Sequence, residues 1–362
     1  MINITLDQLF VQSAREGIKE LSGANSFMPS GINGPYRDKE TPVRNTGHWL
    51  MIFLRAFSIT EEKCFEDAAQ KCLLYLMSTV ARPMDATFWH RCKPEKDFTN
   101  GLMGQAWTIE ALVTAYKHFK DESILAAAKE VFQLHPYDKD KNGWKIVNVD
   151  GSIRDFDVTF NHQLWFAAAG AMLMLEDDAD ELPGVLHFIE NIHNNLQLYP
   201  DGVIKHIPAF YLKKGTLDKA WSTYSLIRQT KAKSDYIYLK SVGYHGFNLY
   251  AIAIINELLP SSDLFNLIKV KKAVEVTYTQ KFRDSLNTSK YAYPYNPAGI
   301  ELSYLFQQLS NPEQKEFWLK EQIARTFDFS KGLMTKNQEL DQNTAAARLY
   351  EAVRLRDIEI SI

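Results

Sequence analysis

The chain has 362 residues, 46% of them hydrophobic and 23% charged, with 41 basic against 44 acidic side chains and a formal charge of −3. This is the composition of a globular protein with a sizeable core. With no dense Lys/Arg run interleaved with aromatics, it argues against nucleic acid as a partner. No apolar run approaches the length of a membrane span. The three cysteines, Cys64, Cys72 and Cys92, lack the CxxC spacing of a zinc site, so no metal is expected. Cys64 and Cys72 are expected as buried small hydrophobes on one helix face.

The chain opens on "MINITLDQLFVQSAREGIKEL", an amphipathic helix with acidic residues and no cationic start, which reads as structure and not as a signal peptide; a cytoplasmic location follows as an expectation. From there a pattern recurs: a polar or aromatic tip, an apolar Ala-rich helix, a brief turn, and a second amphipathic helix. "NTGHWLMIFLRAFSIT" with "EEKCFEDAAQKCLLYLMSTV" is the first copy and "TNGLMGQAWTIEALVTAYKHF" with "DESILAAAKEVFQL" the second. "VTFNHQLWFAAAGAML" with "GVLHFIENIHNNL" is the third, and "SVGYHGFNLYAIAIINELL" with "DLFNLIKVKKAVEVTYTQKF" the fourth. The fifth is "YAYPYNPAGIELSYLFQQL" with "PEQKEFWLKEQIARTF", and "LDQNTAAARLYEAVRLRD" is a sixth first helix, for which the N-terminal helix supplies a partner. Strand signals are confined to "KIVNV" and "YIYLK"; "DKDKNGW" at residues 138–144 lacks the terminal Glu of a calcium loop and reads as a tight turn.

Six hairpins whose first helices are the more apolar predict an all-α fold, an (α/α)6 toroid of inner and outer rings formed by residues 1–362 as one domain. Parallel inner helices place all six N-terminal tips at one mouth, where free N–H groups need capping and a pocket can open. The tips offer His48; Asn100 and Gln105; Asn161 and His162; Tyr244, His245 and Asn248; Tyr295, Asn296 and Glu301; and Asp341 with Asn343. Upstream loops add Tyr36, Arg37, Arg44, Asp85, Trp89, His90, Asp155 and Asp157. A polar ring on an apolar frame is what a ligand pocket needs.

Each candidate carries a chemical and a structural reading. Asp157, Asp155, Asp85 and Glu301 could form the acid and base or nucleophile pair of glycoside hydrolysis, or could cap helices and turns. His162 and His245 have the imidazole suited to proton abstraction, as do His48 and His90, whereas His118, His135, His187 and His193 fall on outer elements. Arg44 or Arg37 could clamp a carboxylate bidentately. One of Trp49, Trp89, Trp107 and Trp165 could stack on a sugar ring. No phosphate-binding glycine loop, nucleophile elbow or dinucleotide fingerprint occurs, so no cofactor is implied.

At the tips, "SGINGPYRDKETPVRNTGHWL", "NGLMGQAWTIEAL", "DVTFNHQLWFAA" and "YPYNPAGIELSYLF" resemble the AglQ/VpsJ-type proteins encoded beside surface-polysaccharide genes. More distantly, the hairpin pattern is similar to the six-hairpin glycosidase superfamily and to toroidal sugar epimerases and lyases. The resemblance implies a carbohydrate-active enzyme of surface-polysaccharide metabolism with an oligosaccharide or polysaccharide substrate, most simply a glycoside hydrolase. The alternatives are an epimerase or lyase working through His162 and His245 or a tyrosine, and a non-catalytic glycan-binding protein. Substrate-binding candidates are then Tyr36, Arg44, His48, Trp89, His90, Asn100, Gln105, Asn161, Tyr244, Tyr295 and Asn296.

Overall fold

A computed structural model describes residues 3–21, 26–176, 182–212, 231–293 and 295–362. The inner helices are Val43–Thr60, Gly101–Phe119, Phe160–Glu176, His245–Leu258, Ala298–Gln308 and Gln342–Ala347, the last continued by a 3-10 segment, Arg348–Arg354. Each packs on the next and the sixth packs on the first, which closes the ring. The second is buried on every side from Gly101 to Val113, as a helix with neighbours all round must be. Small residues permit that closeness. A Cβ on Gly170 would stand 2.5 Å from Val185 and 2.7 Å from Phe132, so the third inner helix could not lie this near its outer neighbours with any larger side chain.

Outer helices bury one stripe only. In Lys63–Leu76 the buried positions are Phe65, Ala68, Ala69, Cys72, Leu73, Tyr75 and Leu76, a helical spacing turned toward the inner helix before it. Cys64 is exposed while Cys72 is buried. Eight residues advance a helix well past two full turns, so only Cys72 falls in the stripe. The N-terminal helix Leu6–Leu21 lies against the first inner helix and shares a small cleft with Gln342, Asn343 and Ala346 of the sixth. Its place is fixed by strand β1 (Asn3–Thr5), which pairs antiparallel with β5 (Glu359–Ser361), Asn3 opposite Ser361, and by Ser13, whose hydroxyl donates to the Gly332 carbonyl at 2.7 Å.

The "KIVNV" signal becomes β3 (Gly143–Val147), flanked by β2 (Tyr137–Asp138) and β4 (Ile153–Phe156) in an antiparallel sheet. The 138–144 turn closes the β2–β3 hairpin, Asp138 opposite Gly143. "YIYLK" is not a strand: it lies in the helix Lys231–Gly243. Its β-prone residues are overridden by tertiary contacts that need helical spacing, since Tyr236 and Lys240, four apart, both reach Tyr291. The second helix of the fourth hairpin is broken into Ile268–Val276 and Gln280–Thr288, the Thr279 side chain capping the second piece.

Candidate functional site at the helix N-termini

The N-terminal ends of four inner helices, the second to the fifth, converge on a cavity of about 160 Å³. Its walls are Asn33, Tyr36, Asp38, Arg91 and Lys96 from connecting loops, and Asn100, Met103, Trp107, Thr159, Asn161, His162, His206, Lys240, Tyr244, Phe247, Tyr295 and Asn296 from or near the tips. A larger cavity, about 480 Å³, opens at the C-terminal ends. There Arg55, Lys117, His118 and Arg354 are each bound to a carboxylate, of Asp7, Glu176, Glu66 and Glu110. The mouth at the N-termini is therefore the candidate site, because among the described residues it leaves His162 Nε2, the Lys240 ammonium and Asn161 Oδ1 without a hydrogen-bond partner.

Its centre is a pair. Asp157, which follows β4, accepts the Leu102 N–H at 3.0 Å, the Thr159 N–H at 3.0 Å and Nδ1 of His162 at 2.7 Å. One carboxylate thus caps the second inner helix and aligns the tip of the third. Burial opposes its ionisation, but His162 and the two backbone donors outweigh that and hold it below the usual carboxylate range. An ionised carboxylate only accepts, so His162 carries its proton on Nδ1 when neutral and keeps Nε2 as the lone-pair edge. The His162 side chain is a fifth exposed, on the cavity wall. Gly101 makes this possible: at φ +59° and with a would-be Cβ 2.2 Å from Asp157 Oδ2, the position excludes any side chain.

The wall is basic. Among the described residues the cations Arg91, Lys96 and Lys240 and the imidazoles of His162 and His206, the latter pushed well below the ordinary histidine value by burial, face it against a single acid, Asp38, whose carboxylate is engaged by Lys93 and Lys96. Hydrogen-bonding groups complete it. Asn296 accepts from Arg348 at 2.7 Å and donates to the Gly243 carbonyl at 3.0 Å. Asn33 accepts from Arg44 at 3.2 Å and from the Tyr295 hydroxyl at 2.6 Å. Among the described residues buried Asn161 has no partner for its Oδ1, and the Tyr36 and Tyr244 hydroxyls meet at 2.7 Å.

Of the residues expected from sequence, Tyr36, Asn100, Asn161, His162, Tyr244, Tyr295 and Asn296 line this cavity, with Asp157 directly behind His162. Others sit elsewhere. Asp155 is exposed on β4, its carboxylate turned back on the Phe156 N–H. Asp85 is exposed in a turn at φ 56°. Glu301 lies inside the ring beside Glu351, where burial and then Glu351 raise it well above the usual carboxylate range. His245 accepts the Ile204 N–H and donates to the Ala273 carbonyl, so both its nitrogens are used in tying a loop to an outer helix. His90 contacts Thr108, and His48 stacks on Tyr350 at 3.7 Å; both are fully buried. Gln105 holds the backbone of Phe88 and Thr99, as Gln163 holds that of Trp144 and Asp157. Trp89 donates to the Arg91 carbonyl. Arg44 lies 4.2 Å from the Trp107 ring and pairs with Glu40. Arg37 lines a separate cleft on the far side of the 33–36 turn. Asn33, Asp38, Arg91, Lys96, His206 and Lys240 are additions; they come from connectors that do not repeat.

A closed ring of helical hairpins with a polar mouth at the parallel N-termini is the six-hairpin toroid of glycosidases and sugar epimerases. It is shared with cellobiose 2-epimerase from Bacillus thermoamylovorans, at 12% identity over 95% of this chain and 98% of that one, TM-score 0.62. An inactive double-aspartate variant of an α-1,6-mannanase of Salegentibacter sp. in complex with α-1,6-mannotriose shares it at 13% identity over 96% and 98% of the chains, TM-score 0.57. So does an unsaturated glucuronyl hydrolase specific for heparin, at 11% identity over 96% of each chain, TM-score 0.59. No protein-family model matches the chain. It is, however, 38% identical over 369 aligned residues to archaeal glycosylation protein Q of Haloferax volcanii, covering 98% of this chain and 99% of the relative, and it belongs to that protein's family. Among the described residues no helix is long and apolar enough to cross a membrane.

Proposed function

We propose that this protein is a carbohydrate-active enzyme of surface-glycan metabolism that moves a proton on an acidic sugar, as an epimerase or, where a leaving group sits one carbon further, as a lyase. Kinship with a glycosylation protein and a toroid shared with sugar epimerases and glycosidases support the carbohydrate class. The observation that carries the reaction is the Asp157–His162 pair, with the Nε2 edge of His162 on a cavity whose polar wall is basic and neutral but for Asp38. A sugar carboxylate would be held by that charge, and His162 would take the proton from the adjacent carbon as Asp157 stabilises the imidazolium formed. The enolate oxygen would be met by fixed amide donors such as Asn33.

Glycoside hydrolysis is the second reading, favoured by the hydrolases that share the ring. It needs two carboxyl groups flanking one bond, and its candidates at the mouth are Asp38 and Asp157. Proton NMR in D2O with a panel of hexose and uronate oligosaccharides separates the two. Loss of a ring-proton signal to deuterium supports proton transfer; new anomeric ends without exchange support hydrolysis and reject it.

A further inference from the structure

Lys240 differs from the other cations of the mouth. Lys96 reaches Asp38 and Arg91 reaches Asp97, but among the described residues Lys240 has no carboxylate partner. Its ammonium is instead walled by tyrosine rings, 5.3 Å from Tyr36, 5.7 Å from Tyr291 and 6.0 Å from Tyr244. These faces attract a cation. The same cavity contains His162, and His206 lies within the field of both.

We propose that Lys240 is the second acid–base group of this site, the partner of His162 in proton transfer and more than a static anchor for substrate charge. The inference rests on the reading of the mouth as a proton-transfer site. His162 Nε2 takes the hydrogen from the carbon next to the carboxylate, and the C–H electron pair moves into the enolate. A Lys240 N–H then breaks as a new C–H bond forms on the enolate carbon, leaving a neutral amine and an imidazolium. The two exchange protons with water before the next turnover, so nothing is oxidised or reduced. Burial, then the charges of Lys96 and Lys290, push the Lys240 ammonium down to about 8, which lets it give up and regain a proton near neutral pH.

The test compares wild type with Lys240→Arg and Lys240→Met on oligosaccharides ending in glucuronate, galacturonate or mannuronate, in D2O, following H5 exchange and epimer formation by proton NMR. Arginine keeps the charge but cannot release a proton at these pH values. The expected result is a loss of at least about a hundredfold in kcat for both variants, with KM for Lys240→Arg changed by only a few fold. The alkaline limb of the wild-type profile near pH 8 is expected to disappear from the residual activity. Should Lys240→Arg turn over within tenfold of wild type, Lys240 is an anchor and this inference falls while the proposed reaction stands. Failure of the wild type to exchange any of these uronates overturns both. Lys240→Arg serves as the folding-tolerant variant, and its thermal melt is recorded beside its rates.

Discussion

Nη1 of Arg44 donates to Oδ1 of Asn33 across 3.2 Å, and the Tyr295 hydroxyl donates to the same oxygen across 2.6 Å. With its oxygen taken twice, the Asn33 amide presents Nδ2 to the cavity it lines. Asn33→Asp keeps both accepted bonds but replaces that donor with a second anionic oxygen. We expect kcat/KM to fall by at least about a hundredfold with the melting temperature changed by only a few degrees, measured on the same sugar panel. Removing the other end has the opposite signature. Arg44→Met strands Glu40, fully buried at 3.3 Å from the guanidinium, and is expected to cost on the order of 3–5 kcal/mol of stability in urea melts.

The Asp157–His162 pair predicts coupling. Asp157→Asn puts an amide N–H against one of the donors of Leu102, Thr159 and His162, so a destabilisation of about 1–3 kcal/mol accompanies the loss of His162 orientation. His162→Gln removes the base itself. If the two act as one unit, the double variant is no slower than His162→Gln alone. Rates that multiply would mean that Asp157 serves only as a cap.

Gly101 gives a test of how tightly backbone and site are joined. It has φ +59°, follows Asn100 at φ 57°, and a Cβ there would come 3.0 Å from His162 Nδ1 as well as 2.2 Å from Asp157. Gly101→Ala therefore combines an unfavourable backbone with a clash against a fixed carboxylate. The expected cost is on the order of 3 kcal/mol, together with loss of turnover. A variant that melts like wild type would show that the pair can shift without strain.

The toroid was legible because the inner helices repeat the same physical demand, a mostly apolar body buried on several sides behind a polar tip. The tips that line the cavity were legible for the same reason, Asn161 and His162 above all. The repetition also misdirected. Gln105 and His245 occupy tip positions but spend their polar atoms on the backbone of neighbouring connectors, a role that periodicity cannot separate from ligand binding. Asp155 sits two residues from Asp157, and strand alternation keeps them on one side only until β4 ends at Phe156. After that point Asp157 turns inward and Asp155 stays in solvent. Lys240, His206 and Lys96 left no periodic trace, because long-range closure of the ring and not local pattern brings connectors to the mouth.

Acid stability follows from the buried histidines. Burial drives His48 and His206 well below the ordinary histidine value, His90 to about 3, and His135 and His245 to about 4. The unfolded chain takes up these protons as pH falls through about 6.5 while the folded chain does not, so the unfolded state binds more protons and stability falls with falling pH. The window runs from the unfolded value of 6.5 down to about 4 for His245. At pH 5 its share of the lost stability is about 2 kcal/mol. Glutamine can donate to the Ala273 carbonyl and accept from the Ile204 N–H in its place. Urea melts of wild type and His245→Gln at pH 7 and pH 5 should therefore show a smaller acid loss in the variant, by about that amount. Equal losses would mean that folded His245 takes up its proton over the same pH range as the unfolded chain, and would overturn the shift attributed to its burial.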